Sequence, residues 1–190
     1  MKMYFLSTGF GHVAKGLFVQ GAGMKSVQFP ILSVLIERAN DLVLFDTGIG
    51  TRIEEEMRPP IYWGNLFFHR CVMRTRFDPE HDALVHQLSR LGFQPSDVKN
   101  VIISHLHWDH AGGMRDFPNA RYIINRKEWD FAAGLTGVPH FKNAYIKEQF
   151  CCAGLNIELI NTDSRKPFKN FPASYDLFGD GSMVLVDLPG

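Results

Sequence analysis

The spacing of apolar positions changes along the chain, and each change marks an element. Residues 3–7 and 27–36 read as strands, and Leu42 to Phe45 is a continuous apolar run suited to a strand buried on both faces. That run leaves through Asp46-Thr47-Gly48, a turn-forming exit. Asp78-Pro79-Glu80 suits a helix start: aspartate caps, proline fits the first turn, and glutamate favours the positive end. Leu84, Leu88 and Leu91 continue at helical spacing until Gly92 ends it. Residues 101–103 and 121–125 predict two further strands, 126–134 a short helix, and 155–160 alternates as a half-buried strand should. Residues 162–175 read as a loop, and 179–187 as a turn followed by a strand. Strands and helices thus alternate, which predicts a layered α/β domain over residues 1–190.

One stretch has no clear period. Residues 57–76, "MRPPIYWGNLFFHRCVMRTR", mix prolines, aromatics and arginines. The expectation is a surface loop with short helical turns packed on the core. Its apolar content also suits a lid, a substrate wall or a dimer contact.

Composition narrows the function classes. The 190 residues carry 20 basic and 20 acidic side chains, a formal net charge of +0. That balance gives no electrostatic case for nucleic acid or an anionic membrane as partner, although it leaves room for local patches. No apolar run approaches the roughly 20 residues that cross a bilayer. The first residues, with Gly, Ser, Thr and His among the apolar ones, read as a strand and turn rather than a signal peptide. Three cysteines, two of them adjacent, argue against a disulfide framework and for a reducing compartment, the cytoplasm by default.

The chemistry concentrates in "VIISHLHWDHAGG", residues 101–113. His105, His107, Asp109 and His110 follow a buried strand at its C-terminal end, where open α/β sheets gather their ligand sites. In extended chain His105 and His107 project to one side, and Asp109 and His110 follow where the chain turns. Imidazole and carboxylate suit Zn²⁺, with Fe or Mn as alternatives, and no soft ligand is present. Gly112-Gly113 let the backbone turn sharply past such ions.

The motif H-x-H-x-D-H resembles that of the metallo-β-lactamase superfamily, and Asp46-Thr47-Gly48 is similar to its early D-T-G motif. Residues 81–113 look especially like the N-acyl-homoserine lactonase branch, with a similar helix, the connector "GFQPSD" and "SHLHWDHAGG". The resemblance implies an αββα sandwich and two Zn²⁺ ions. His105 and His107 would bind the first ion; Asp109 and His110 would bind the second. Asp46 would accept a hydrogen bond from a ligand histidine and fix its orientation. Asp109 would also act in catalysis, orienting a nucleophile and passing its proton to the leaving group. The implied substrate is a small-molecule lactone, ester or thioester.

The chain departs from that pattern at its end. "VLVDLPG" stops at Gly190, where the family continues with a third histidine ligand, a bridging aspartate and a final histidine. The expectation is therefore a sandwich lacking its C-terminal part. Of His12, His69 and His140, none is expected to substitute, and His81 and His86 are read as ordinary helix residues. A non-catalytic metal-binding or partner-binding domain, or a mononuclear iron persulfide dioxygenase, are the alternative readings. Missing strands would leave open edges and apolar surface, so a homodimer belongs to the expected partners.

Overall fold

The structure, a computed structural model, describes residues 1–17, 19–39, 41–136, 144–162 and 166–188. Six strands build the main sheet in sequence order: β1 (Lys2–Ala14), β2 (Ser26–Arg38), β3 (Asp41–Phe45), β4 (Val98–Ile103), β5 (Arg121–Asn125) and β6 (Asn156–Ile160). β1, β2 and β3 pair antiparallel, and β3 to β6 run parallel. β7 (Ser174–Asp176) and β8 (Val184–Val186) form a separate antiparallel pair.

Two faces of the main sheet are covered differently. On one side Leu35, Leu44, Val101, Ile103 and Ile124 pack with Leu84 and Leu88 of α4 (Leu84–Arg90), Ala132 of α6 (Arg126–Gly134) and Phe150 of α7 (Lys147–Phe150). On the other side Val43, Ile102, Ile123 and Ile160 meet Leu177, Tyr175 and Leu185 from the β7–β8 pair. Helices, sheet and second sheet therefore lie in that order, the mixed α/β layering expected. The parallel strands are apolar on both faces because both faces are covered.

Several boundaries differ from expectation. β1 continues to Ala14 because Gly9, at φ 119°, takes up a register shift between Ser7 and Phe10 that leaves the pairing with β2 intact beyond it. The helix after Asp78 is two helices, α3 (Pro79–Asp82) and α4, broken at Ala83 where ψ is 138°. Asp78 caps as expected, accepting from the Glu80 N–H at 3.0 Å. Residues 57–76 hold a 3-10 turn (Pro60–Tyr62), α2 (Trp63–Phe67) and a π-turn (Phe68–Val72), matching the short helical turns expected. They follow α1 (Ile53–Glu56) and pack through Tyr62, Leu66 and Met73 against Val13, Val27 and Phe29 of the β1–β2 hairpin.

Candidate metal centre

β3 and β4 deliver the two halves of the site side by side, since Phe45 pairs with Ile102. Asp46, the first residue after β3, has φ 59°, a left-handed conformation that aspartate tolerates better than most side chains. The backbone there is fixed at both ends: Asp46 N–H donates to the Ile102 carbonyl at 2.8 Å and Thr47 N–H to the His110 carbonyl at 2.8 Å. Gly48 must be glycine, because a Cβ would collide with the Thr8 side chain and because φ is +61°.

The carboxylate of Asp46 is buried and fully engaged. Oδ1 accepts the Ser104 N–H at 2.7 Å, and Oδ2 accepts the Ser104 hydroxyl at 2.7 Å. Oδ2 also lies 2.8 Å from Nδ1 of His110. That contact places a proton on Nδ1 and leaves Nε2 as the lone-pair nitrogen, the form in which imidazole binds a cation. Ser104 Oγ in turn lies 3.0 Å from Nδ1 of His105.

α5 (Trp108–Ala111) carries Asp109 and His110, with His107 at its N-cap position. Trp108 turns the other way and is buried against Tyr62, Met73 and Ile146, which pins the helix from beneath. A Cβ at Gly112 would collide with the Trp108 carbonyl, so the sharp turn after the helix requires glycine there.

The four sequence-predicted side chains come together. The His105 ring lies 4.5 Å from that of His107 and 4.0 Å from that of His110, centroid to centroid. Asp109 Oδ2 is 3.8 Å from Nε2 of His110. His105 thus lies between His107 and His110, slightly nearer the latter. Among the described residues no group of three or more His, Cys, Asp or Glu side chains converges as one ion-holding set. The donors are nevertheless of the right kind: imidazoles and a carboxylate, with no thiolate among them.

Electrostatics set His105 and His107 apart from His110. Burial, then the neighbouring His110, pushes the His105 pKa down; burial and then His105 push His107 down. Both imidazoles are therefore neutral near pH 7. Burial also acts to lower His110, but the Asp46 hydrogen bond and the charges of Asp109 and Asp46 outweigh it, so that its pKa is raised.

Two supports escaped the sequence. Glu128, on α6, accepts the Leu106 N–H at 2.7 Å and so fixes the loop between His105 and His107. Tyr145 stands edge-on to His107 at 4.9 Å, and these residues form an isolated bridge. Both lie far along the chain from the motif, and no local spacing announces them. Of the histidines expected not to substitute, His69 is buried against Trp108 at 4.8 Å, His12 lies on β1, and His140 falls outside the described residues.

An aspartate-anchored His/Asp loop at the C-terminal ends of parallel strands, in a mixed sheet covered by helices on one face and a second sheet on the other, defines the class as a layered α/β protein. The chain belongs to the metallo-beta-lactamase superfamily, whose pattern matches residues 27–184. It is similar to N-acyl homoserine lactonase AttM of Azorhizobium caulinodans, 32% identical over 171 residues, 90% of this chain and 59% of that protein. AttM of Agrobacterium fabrum is 33% identical over the same shares. Among solved structures, a Bacillus thuringiensis AiiA mutant with N-decanoyl-L-homoserine bound at the active site superposes with a TM-score of 0.67. It is 26% identical, with 93% of this chain and 61% of that one covered. The chain thus spans about three-fifths of the length of the relatives it matches.

Proposed function

We propose that the chain serves a metal-dependent hydrolase that opens the ester bond of a lactone, N-acyl homoserine lactones being the first class to test. The observation that carries this reading is the Asp46 carboxylate binding Ser104 and His110 at once, with the His105 ring beside His110. A carboxylate so placed orients a ligand histidine and has little other use there. The relatives' names supply the substrate class and favour hydrolysis over persulfide oxidation or a non-catalytic role.

His105 and His107 would hold one Zn²⁺ ion, and Asp109 and His110 the second; Fe or Mn would suit the same donors. Bound there, the ions would lower the pKa of water toward neutrality and polarise an ester carbonyl. Asp46 keeps His110 in one tautomer and one orientation. Ser104 ties that carboxylate to His105. Glu128 and Tyr145 keep the intervening loop from relaxing when substrate enters. Asp109, partly exposed at the centre, orients the attacking water, takes its proton and returns it to the leaving alkoxide.

Residues 1–190 act as a single domain in this reading, supported by three apolar clusters that share one sheet. Cys71, Cys151 and Cys152 are unpaired, which suits the cytoplasm. Among the described residues β6 ends the main sheet unpaired on one side, which supports a homodimer. No described helix is long and apolar enough to cross a membrane.

The test is hydrolysis of an N-acyl homoserine lactone by the zinc-loaded protein, followed by proton release. The expected result is turnover that falls by roughly 10²- to 10⁴-fold in Asp109→Ala. Absence of lactone opening in the zinc-loaded protein, or equal rates in the variant, would contradict the assignment.

A further inference from the structure

The whole-chain charge balance conceals a strongly one-signed end. β2 runs antiparallel to β3, and their pairing stops at Val34 with Phe45. The β1–β2 hairpin continues past that point to Ala14 paired with Ser26. It therefore projects as an arm beyond the end of the sheet from which Asp46 and the donor loop also emerge. Residues 57–76 lie along this arm: His12 N–H donates to the Met73 carbonyl at 2.6 Å, Phe10 and Arg76 exchange two backbone hydrogen bonds, and Arg74 Nη2 donates to Ser26 Oγ at 3.2 Å. Arm and excursion are one unit.

That unit is basic and apolar at its surface. Residues 14–28 and 57–77 contain Lys15, Lys25, Arg58, Arg70, Arg74 and Arg76, and no aspartate or glutamate. All six are exposed. Among the described residues only Arg70 of these six has a carboxylate partner, Glu54 at 2.7 Å, and Glu56 and Asp78 border the 57–77 stretch along the chain. Between the charges stand apolar side chains facing solvent, Trp63 and Phe67 at 61% exposure each and Met24 at 80%, with Leu17, Val19 and Ile61. On α2 the periodicity is inverted relative to the rest of the molecule. Tyr62 and Asn65 face the core, while Trp63 and Phe67, one turn apart, face outward. Val19, Val27 and Phe29 wall an apolar recess of about 380 Å³ with Lys15 at its rim.

We infer that this arm-and-excursion surface docks on an anionic lipid bilayer, as a peripheral contact that brings the donor loop to the membrane face. The chemistry is specific to that occupant. Indole and phenyl rings sit favourably at the headgroup boundary, an apolar recess accepts acyl chain, and exposed cations draw anionic headgroups. The recess is apolar with one ammonium at its lip, the arrangement that an acyl chain below an anionic headgroup matches. The inference is independent of the reaction assigned above, and it departs from the expectation that no membrane is contacted.

The experiment is co-sedimentation of the purified chain with vesicles of phosphatidylcholine alone and of phosphatidylcholine mixed with phosphatidylglycerol. Binding is expected only to the mixed vesicles and is expected to fade as salt is raised. Trp63 is the one strongly exposed indole, Trp108 being buried and Trp129 packed against the core, so emission should shift to the blue on binding. Each cation near an anionic surface is worth roughly fivefold in partitioning, so joint Lys25→Glu and Arg58→Glu should weaken it by at least about 20-fold. Phe67→Ser should weaken it at unchanged charge, and both variants should keep the far-ultraviolet spectrum of the parent. No binding, equal binding to both vesicle types, or indifference to Lys25→Glu with Arg58→Glu would overturn the inference. So would a dimer in sedimentation equilibrium that Phe67→Ser dissociates, because the face would then be covered by a second copy.

Discussion

Oδ2 of Asp46 lies 2.8 Å from Nδ1 of His110, across 64 residues of sequence. Three further hydrogen bonds hold this pair in register: two from Ser104 to the carboxylate and one from Thr47 N–H to the His110 carbonyl. A turn aspartate with φ near +60° thus aims a histidine from another strand's loop.

Asp46→Asn is the sharpest probe of that pair. Asparagine tolerates the left-handed backbone, so strain is not introduced. Its amide cannot accept from Ser104 N–H, Ser104 Oγ and His110 Nδ1 together, and the histidine loses its fixed tautomer. Zinc affinity, measured by competition with a chromophoric chelator, should fall roughly 10- to 100-fold. Unchanged affinity would mean that the contact does not orient a ligand.

Glu128 offers a separable test of the loop. Its Oε1 accepts the Leu106 N–H at 2.7 Å, and glutamine keeps an acceptor there. Glu128→Gln should fold and turn over nearly as the parent does. Glu128→Ala leaves a buried amide without a partner, which costs about 1–3 kcal/mol and should lower the thermal midpoint and lactone turnover together.

These two residues show what the sequence could and could not disclose. The motif residues lie within six positions of one another, and their convergence follows from a strand end and a single helical turn. Asp46 on its own reads as a turn residue, and its orienting role was legible only through the resemblance of Asp46-Thr47-Gly48 to the superfamily's early D-T-G motif. Glu128 and Tyr145 reach the loop by tertiary packing, and nothing in "NRKEWDF" separates Glu128 from any solvent-facing helix carboxylate. The strands were legible because both faces of the parallel sheet are covered, which makes them continuously apolar. The break at Ala83 was not, since alanine favours the helix it interrupts. The basic arm escaped because net charge averages over surfaces that folding keeps apart.

His69 gives a pH prediction. It is buried beside Trp108 with no partner for Nδ1 among the described residues, and burial followed by the nearby Arg70 lowers its pKa from 6.5 to about 4. The fold favours the neutral ring. Its contribution is therefore complete above pH about 6.5 and is lost as pH falls through about 4, at most about 3 kcal/mol. Urea unfolding at a series of pH values should show this acid loss reduced in His69→Phe, which fills the same site without a titrating nitrogen. An identical pH dependence would show that folding does not shift the titration of His69.

The central claim is that His105, His107, Asp109 and His110 hold divalent ions, and its most direct measurement is zinc bound per chain after equilibrium dialysis. The account predicts bound zinc in the parent protein, reduced in His107→Ala and in Asp109→Ala, with each substitution affecting its own pair of donors. Zinc retained equally by parent and both variants, or bound by none, would contradict it.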